Sequence, residues 1–283
     1  MSPSIIVPGS SANLGPGFDV LGLAVSSHVR MGLGGGDEPV MARHPARVAF
    51  EAAGGDGEVW FASNLPSGRG LGFSGASIVA GTTLALAQRE GIDADDLDRF
   101  IAASRDEILR RATEIEGHPD NVAASLFGGV VAVANDRVVR LPIGFDARLV
   151  AWIPRDTTST SKSRSVLPAS YERDDVVFNL GRIALLIEGL RMGDLESLSM
   201  GVEDRLHQDR RLAAAPMSRR ALETLRELGA RAVWLSGSGP TVMALCDAAD
   251  AESLCDRAAA SLDELEGRVT TMAIDERGAR QAT

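Results

Sequence analysis

Residues 66–76 read Pro-Ser-Gly-Arg-Gly-Leu-Gly-Phe-Ser-Gly-Ala, and this stretch limits the fold more than any other. The run before it, residues 58–62, predicts a strand, and the run after it, residues 74–90, predicts a helix. A glycine-rich turn entering a helix leaves backbone N–H groups free at the helix start, where the helix dipole favours negative charge. The segment therefore reads as a phosphate-binding loop. Gly70 and Gly72 permit positive φ and close approach of a phosphate to the backbone. Ser74 stands where the helix begins, so its hydroxyl can cap the helix or meet a phosphate-bound metal ion. A plain strand-to-helix turn with a serine cap is the alternative at this point.

Composition narrows the chemistry. Of 29 basic residues only Lys162 is a lysine, and the sequence contains no G-x-x-x-x-G-K-[ST]. A Walker-type site is excluded, and any phosphate must be held by backbone N–H groups, hydroxyls, arginine and metal. The net charge of −10 argues against a nucleic-acid partner. No apolar run reaches the roughly eighteen residues of a membrane span, so no membrane partner is expected. The start, Met1-Ser2-Pro3-Ser4, lacks the basic and apolar regions of a secretory signal. Cys246 and Cys255 fit no metal spacing, and a cytoplasmic protein with idle thiols is expected. With 283 residues, 45% of them hydrophobic, the chain can build a sizeable core in one large or two ordinary domains.

Read in order, residues 4–8 and 20–33 predict strands around a small-residue turn, and 34–39 a further turn. Residues 46–52 predict a strand and 54–57 a hairpin turn. After the glycine loop and its helix, a second helix is expected over 93–112, with a short helix after Pro119. Strands follow at 130–134 and 138–141. A domain boundary is placed near 145, giving domains 1–145 and 146–283. The second half reads as strand 148–153, helix 175–191, helices 195–213 and 217–228, strands 231–235 and 241–245, helix 250–264 and strand 268–274. Val176, Leu180, Ile183, Ile187 and Leu190 share one face of the helix at 175–191. Leaving out the two middle helices, the order is β-α-β-β-α-β, that of a ferredoxin-like domain. Residues 276–283 are expected to be loose.

Three other stretches carry polar chemistry. Residues 8–19, Pro-Gly-Ser-Ser-Ala-Asn-Leu-Gly-Pro-Gly-Phe-Asp, put an amide and a carboxylate in a turn between strands, where they either position a ligand or bond their own backbone. Residues 116–121, Glu-Gly-His-Pro-Asp-Asn, bring acid, imidazole and amide together. That set can hold Mg²⁺ or polarise a hydroxyl, or simply cap a helix. Residues 236–241, Ser-Gly-Ser-Gly-Pro-Thr, read by themselves as a hairpin turn. A serine hydrolase built on Ser74 is disfavoured, because residues 72–76 lack the last glycine of G-x-S-x-G.

Together, in this order, the four stretches resemble the motifs of the GHMP small-molecule kinases over essentially the whole chain, most closely those of homoserine kinases. Residues 160–164, 167–168, 178–180 and 204–208 are also similar to homoserine-kinase segments. The resemblance implies an α+β protein with an N-terminal nucleotide-binding α/β domain and a C-terminal ferredoxin-like domain. It implies ATP and Mg²⁺ as cofactors, a small hydroxylated amino acid, L-homoserine, as substrate, and a homodimer. Pro66, Gly68, Arg69, Gly70, Leu71, Gly72, Phe73, Ser74, Gly75 and Ala76 would wrap the ATP phosphates. Ser74 and Glu116 would meet the metal, with Glu114 as competitor. Asn13, Asp19, His118, Thr160, Arg164 and Arg211 would line the amino-acid pocket, with Arg164 and Arg211 on its carboxylate and Asp19 on its ammonium group. Gly237 and Gly239 would close over the substrate. Asp120, Asn121 and Arg164 would serve catalysis, with Asp120 acting as base or by positioning. Phe73 and Gly75 depart from the family's usual Ser and Ala. Two other readings stay open: a relative acting on another small hydroxy acid, and a binding protein on the same scaffold.

Overall fold

The computed structural model describes residues 2–35, 40–158 and 160–282. Residues 36–39 of the turn expected at 34–39 lie outside that set, as do the side chains of residues 160–162, Thr160 among them.

The first sheet begins with β1 (Ser4–Ala12) and β2 (Leu21–Leu33), antiparallel from Ser4 opposite Gly32 to Ala12 opposite Gly22. After α1 (Pro45–Ala52), β3 (Val59–Ser63) pairs with the far half of β2. Next come α2 (Phe73–Arg89), α3 (Leu97–Ala103), α4 (Arg105–Glu116) and α5 (Pro119–Phe127). The hairpin of β4 (Val130–Ala134) and β5 (Arg137–Leu141) then adds to the near half of β2. Helix α2 is buried on all sides from Gly75 to Ala87, as a helix of small and apolar residues must be, and it packs against α1, α4, α5 and the sheet.

The second half runs β6 (Ala147–Pro154), α6 (Thr160–Ser165), α7 (Arg173–Met192), α8 (Leu195–Gly201), α9 (Gln208–Ala213) and α10 (Pro216–Glu227). It continues with β7 (Ala232–Leu235), β8 (Val242–Asp247), α11 (Ala251–Ser261), β9 (Gly267–Met272) and β10 (Arg280–Gln281). The second sheet is antiparallel in the order β7-β8-β6-β9, the ferredoxin-like arrangement. Both of its faces are covered. Val150, Trp152, Val233 and Ala244 pack with α10 and α11, while Leu149, Ala151, Trp234 and Met243 join the larger core shared with the first sheet. Strands covered on both sides read as continuous apolar runs, as 149–153 does. No helix among the described residues is long and apolar enough to cross a membrane.

Several expected elements differ. Residues 46–52 form a helix, not a strand. Pro45 opens α1, His44 Nδ1 accepts the Ala46 N–H at 3.2 Å, and Ala46, Ala49 and Phe50 are buried at helical spacing. The helix expected over 93–112 breaks at Ser104 into α3 and α4. The one expected over 195–213 is cut into α8 and α9 by Asp204. This buried carboxylate accepts the N–H groups of Leu206, His207 and Gln208 and the amide of Asn179, which caps the new helix. On α7 the expected apolar face does not all go inward. Leu190 is buried, but Val176 and Leu180 are 39% and 62% exposed.

Residues 276–282, expected to be loose, are also ordered. Residues 274–281 leave the second sheet and return to the first, with Ile274 opposite Val25, and Arg280 and Gln281 opposite Ile6 and Ile5. Asp275 anchors this return. It is bonded to His28 Nε2 at 2.7 Å and Arg280 Nη1 at 3.1 Å, and it accepts the N–H groups of Arg277 and Gly278. Burial raises its pKa, but these bonds outweigh burial and hold it down at about 2. The stability this carboxylate adds is present above its ordinary value near pH 4 and is lost as pH falls through its folded value. Asp275→Asn should lower Tm at neutral pH by about 2–4 °C, the effect of about 1 kcal/mol in a chain of this size. Thermal melts should show the gap from the parent closing between pH 4 and pH 2.

Candidate active site

The four polar stretches, far apart in sequence, border one cleft of about 800 Å³. Its floor is the glycine loop. Gly70 and Gly72 have φ of 72° and 69°, and neither tolerates a side chain. A Cβ on Gly70 would lie 2.4 Å from the Ser236 carbonyl oxygen, and one on Gly72 would lie 2.1 Å from Ser10 Oγ. The loop is thus clamped between the end of β1 and the 236–241 turn. Ser10 N–H donates to the Leu71 carbonyl at 3.0 Å, and Ser236 Oγ to the Gly70 carbonyl at 2.5 Å. Arg69 holds the other side, donating to the carbonyls of Ser67, Pro154 and Arg155. Gly72 offers no side chain to cap α2, and the helix start lines the cleft beside Ser67, Gly68 and Ser74, so its first N–H groups and its dipole are available there.

Leu71, Gly75 and Ala76 lie beneath the cleft, buried. Gly75 lets α2 approach α5, since a Cβ there would stand 3.1 Å from Asn121 Cβ. Phe73 lines the cleft, with its ring turned to His44 and Phe61 at centroid distances of 5.7 and 6.0 Å. These three rings form an aromatic wall next to the helix start. Burial lowers the pKa of His44, which favours a neutral ring there.

Opposite the loop, Ser74 Oγ donates to Glu116 Oε2 at 2.7 Å. Glu116 has a raised pKa because it is buried, an effect that the Ser74 bond partly offsets. Glu114 instead pairs with Arg110 on the outside of α4 and does not line the cleft. His118 Nδ1–H donates to Asp120 Oδ1 at 2.9 Å, and its Nε2 lies 4.0 Å from Glu116 Oε1. Burial opposes charge on His118, but the Asp120 bond and both carboxylates outweigh it, so its pKa is raised. Asp120 is 2% exposed, and its Oδ1 also takes the backbone N–H of Asn121 at 2.7 Å. Asn121 Oδ1 accepts from Ser10 Oγ at 2.9 Å, tying α5 to β1.

The 10–19 turn supplies the third side. Asn13, Leu14 and Asp19 all have positive φ, an uncommon conformation for residues other than glycine and one that clusters at functional sites. Asn13 Nδ2 donates to the Gly237 carbonyl and its Oδ1 accepts from Asp19 N–H. Asp19 and Arg164 form a two-pronged ion pair, at 2.7 and 3.0 Å, across the mouth of the cleft. The Asp19 bond raises the pKa of Arg164 against a smaller effect of burial. The ring of Phe18 stands within 5.5 Å of both the Arg164 and the Arg211 guanidinium carbons.

Arg211 is 5% exposed and is engaged by the protein itself, donating to Gly237 O at 2.9 Å, Ser163 O at 3.4 Å and His207 Nδ1 at 3.3 Å. Burial, then the Arg164 charge, lowers its pKa. His207, fully buried, donates Nε2–H to the Gly15 carbonyl, and burial lowers its pKa as well. Gly237 borders the cleft, whereas Gly239 lies behind it, with its carbonyl against Gly70. The sequence reading did not single out Ser10, Ser163, Ser236, His207 or the 41–44 segment of the cleft wall. Ser10, Ser163, Ser236 and His207 lie inside the quoted motifs, so proximity to those motifs was the available signal. Cys246 and Cys255 are free and remote from the site, and burial pushes the Cys246 thiol up to about 11.

Comparison with known proteins gives one answer. Residues 41–129 match the GHMP kinases N terminal domain, and residues 186–264 the GHMP kinases C terminal domain. A homoserine kinase of Desulfitobacterium hafniense is 36% identical, covering 96% of this chain and 97% of its own. One from Streptomyces coelicolor is 39% identical, over 96% and 92%. The crystal structure of homoserine kinase from Cytophaga hutchinsonii superposes with a TM-score of 0.78 at 25% identity, over 99% and 97%. A mevalonate kinase, at 12% identity and TM-score 0.62, shares the fold. With its four motifs gathered round one cleft and relatives matched end to end, the chain belongs to the GHMP kinases, and within them to the homoserine kinase family.

Proposed function

We propose that this protein is an ATP-dependent kinase that phosphorylates the side-chain hydroxyl of L-homoserine, giving O-phospho-L-homoserine for threonine synthesis in the cytoplasm. The observation that carries the reading is the Asp19–Arg164 pair beside an uncapped helix start. A zwitterionic amino acid offers each partner of the pair a replacement: its ammonium group for Asp19, its carboxylate for the planar fork of Arg164. Binding exchanges one ion pair for two, so the free site never leaves a half-buried charge alone. Arg211, occupied by backbone carbonyls, supports this subsite by holding Gly237 and Ser163 in place.

ATP phosphates suit the loop and the first turn of α2, where N–H groups and the helix dipole face the cleft. Mg²⁺ fits Ser74 and Glu116. These are two hard oxygen donors 2.7 Å apart, close to the spacing of neighbouring ligands around an ion that takes oxygens at about 2.0–2.1 Å. No cluster of three acidic, histidine or cysteine side chains able to hold a metal occurs among the described residues, so phosphates and water would complete the shell. The ion would neutralise charge on the transferred group. The substrate oxygen attacks the terminal phosphorus, the bond to ADP breaks, and the hydroxyl proton is released. Phosphoryl transfer depends mainly on alignment and electrostatics. Asp120, with His118 and Asn121 bonded to one of its oxygens, fits positioning better than proton abstraction. The working unit is proposed to be a homodimer.

Coupled ADP detection should show turnover with L-homoserine exceeding that with threonine or with hydroxy acids that lack the amino group. Activity confined to substrates without a carboxylate would refute the assignment. Ser74→Ala should lower kcat by about tenfold or more, with little change in the KM for homoserine; an unchanged kcat would remove the metal role. Arg164→Leu should raise the KM for the amino acid far more than that for ATP. Equal rises in both would make the residue structural.

A further inference from the structure

We infer that the outer face of α7 is the surface on which a second copy of this chain docks, antiparallel and across a two-fold axis at the middle of the helix. This rests on the homodimer proposed above and assigns its interface. Helix α7 is 20 residues long, about 30 Å. Its inner face holds the buried Asn179, Leu186, Gly189 and Leu190. The opposite face carries Val177 and Leu180, 60% and 62% exposed, with Gly181 and Ala184, also exposed. Their spacing, at 177, 180/181 and 184, makes one continuous stripe. A water-facing helix ordinarily shows polar residues there.

Gly181 strengthens the case. It sits at the middle of a helix, where glycine costs about 1 kcal/mol relative to alanine. Among the described residues nothing outside its own helix approaches it: a Cβ at that position would meet no such atom within 4 Å. A glycine that its own fold does not require is explained when another backbone comes close. With the two-fold axis at the centre of residues 173–192, positions whose numbers sum to about 365 face each other. Gly181 then meets Ala184 of the second copy, which lets the helices approach closely, while the two Leu180 side chains flank the crossing.

The charges fit the same pairing. Asp174 lies at the N-terminal end of the stripe, and Glu188 and Arg191 at its C-terminal end. Antiparallel docking brings Asp174 of each copy opposite Arg191 of the other, two symmetric attractive pairs. Parallel docking would set like charges side by side. A face complementary to itself under a two-fold rotation is what an isologous dimer requires. Within one chain these end residues form exposed local pairs, Arg173 with Asp174 and Arg191 with Glu188.

Sedimentation equilibrium on the full chain tests this. The parent should be a dimer at micromolar concentration. Leu180→Glu should raise its dissociation constant by about a hundredfold or more, as a charge forced into an apolar contact does. Far-UV circular dichroism should stay unchanged, because the side chain is exposed in the chain's own fold. Asp174→Arg should weaken association by about tenfold, and Asp174→Arg/Arg191→Asp should restore it. A parent that stays monomeric at tens of micromolar would overturn the homodimer itself. A dimeric parent that Leu180→Glu leaves intact would overturn only the use of this face. Failure of the double reversal to rescue would overturn the antiparallel register.

Discussion

One short chain of hydrogen bonds holds the two halves of this molecule in register with its active site. Trp234 Nε1 donates to Ser11 Oγ at 2.9 Å, Ser11 and Ser236 hydroxyls are 2.8 Å apart, and Ser236 Oγ donates to the Gly70 carbonyl at 2.5 Å. Each hydroxyl has a single proton, so the chain runs one way, from the indole through both serines to the loop. All three side chains are buried, and an unpaired member would carry the full cost of desolvation. The second sheet, the first strand and the phosphate loop are therefore coupled through a few polar atoms in a dry contact. Side chains at Gly70 and Gly72 would push these parts apart.

Around that contact the cleft is assembled from backbone more than from side chains. Arg69, Arg211 and Asn13 all give hydrogen bonds to main-chain carbonyls at the junction of the two halves. With one lysine in the chain, arginine does the bracing, and its planar fork suits the task of holding two carbonyls at once. Among the described residues, Arg164 is the site arginine that meets a carboxylate, and it lies at the cleft mouth. Arg211, buried, and Arg69, partly exposed, brace the walls, while Arg164 holds a carboxylate instead.

Much of the arrangement was legible in the residues. The glycine loop, the β-α-β-β-α-β order and the four polar stretches are local patterns, and local patterns survive folding. The failures came where tertiary context decides. Residues 46–52 alternate well enough for a strand, but Pro45 and the burial of Ala46, Ala49 and Phe50 against α2 make them a helix. A single aspartate, Asp204, breaks a helical run that looks continuous. The apolar positions of α7 share one helical face, but periodicity alone does not distinguish a core face from an uncovered surface. In the site, the mutual pairing of Asp19 and Arg164 joins residues 145 positions apart, and no spacing rule predicts it. The direction of the Phe73 ring, towards His44 and Phe61, was equally hidden, because His44 belongs to a segment without a motif.

The return of residues 274–281 to the first sheet has a consequence for how the molecule is made. A sheet whose opening strand pairs with residues some 275 positions later has contacts of very high sequence separation, and such contacts form late. The first half can collapse around α2, but β1 keeps an unpaired edge until residues 280 and 281 reach it. The Asp275 cluster then acts as a latch that closes on this return. Until that moment the chain exposes a strand edge that invites association with other chains, so an intermediate lacking this one pairing is the form most exposed to aggregation.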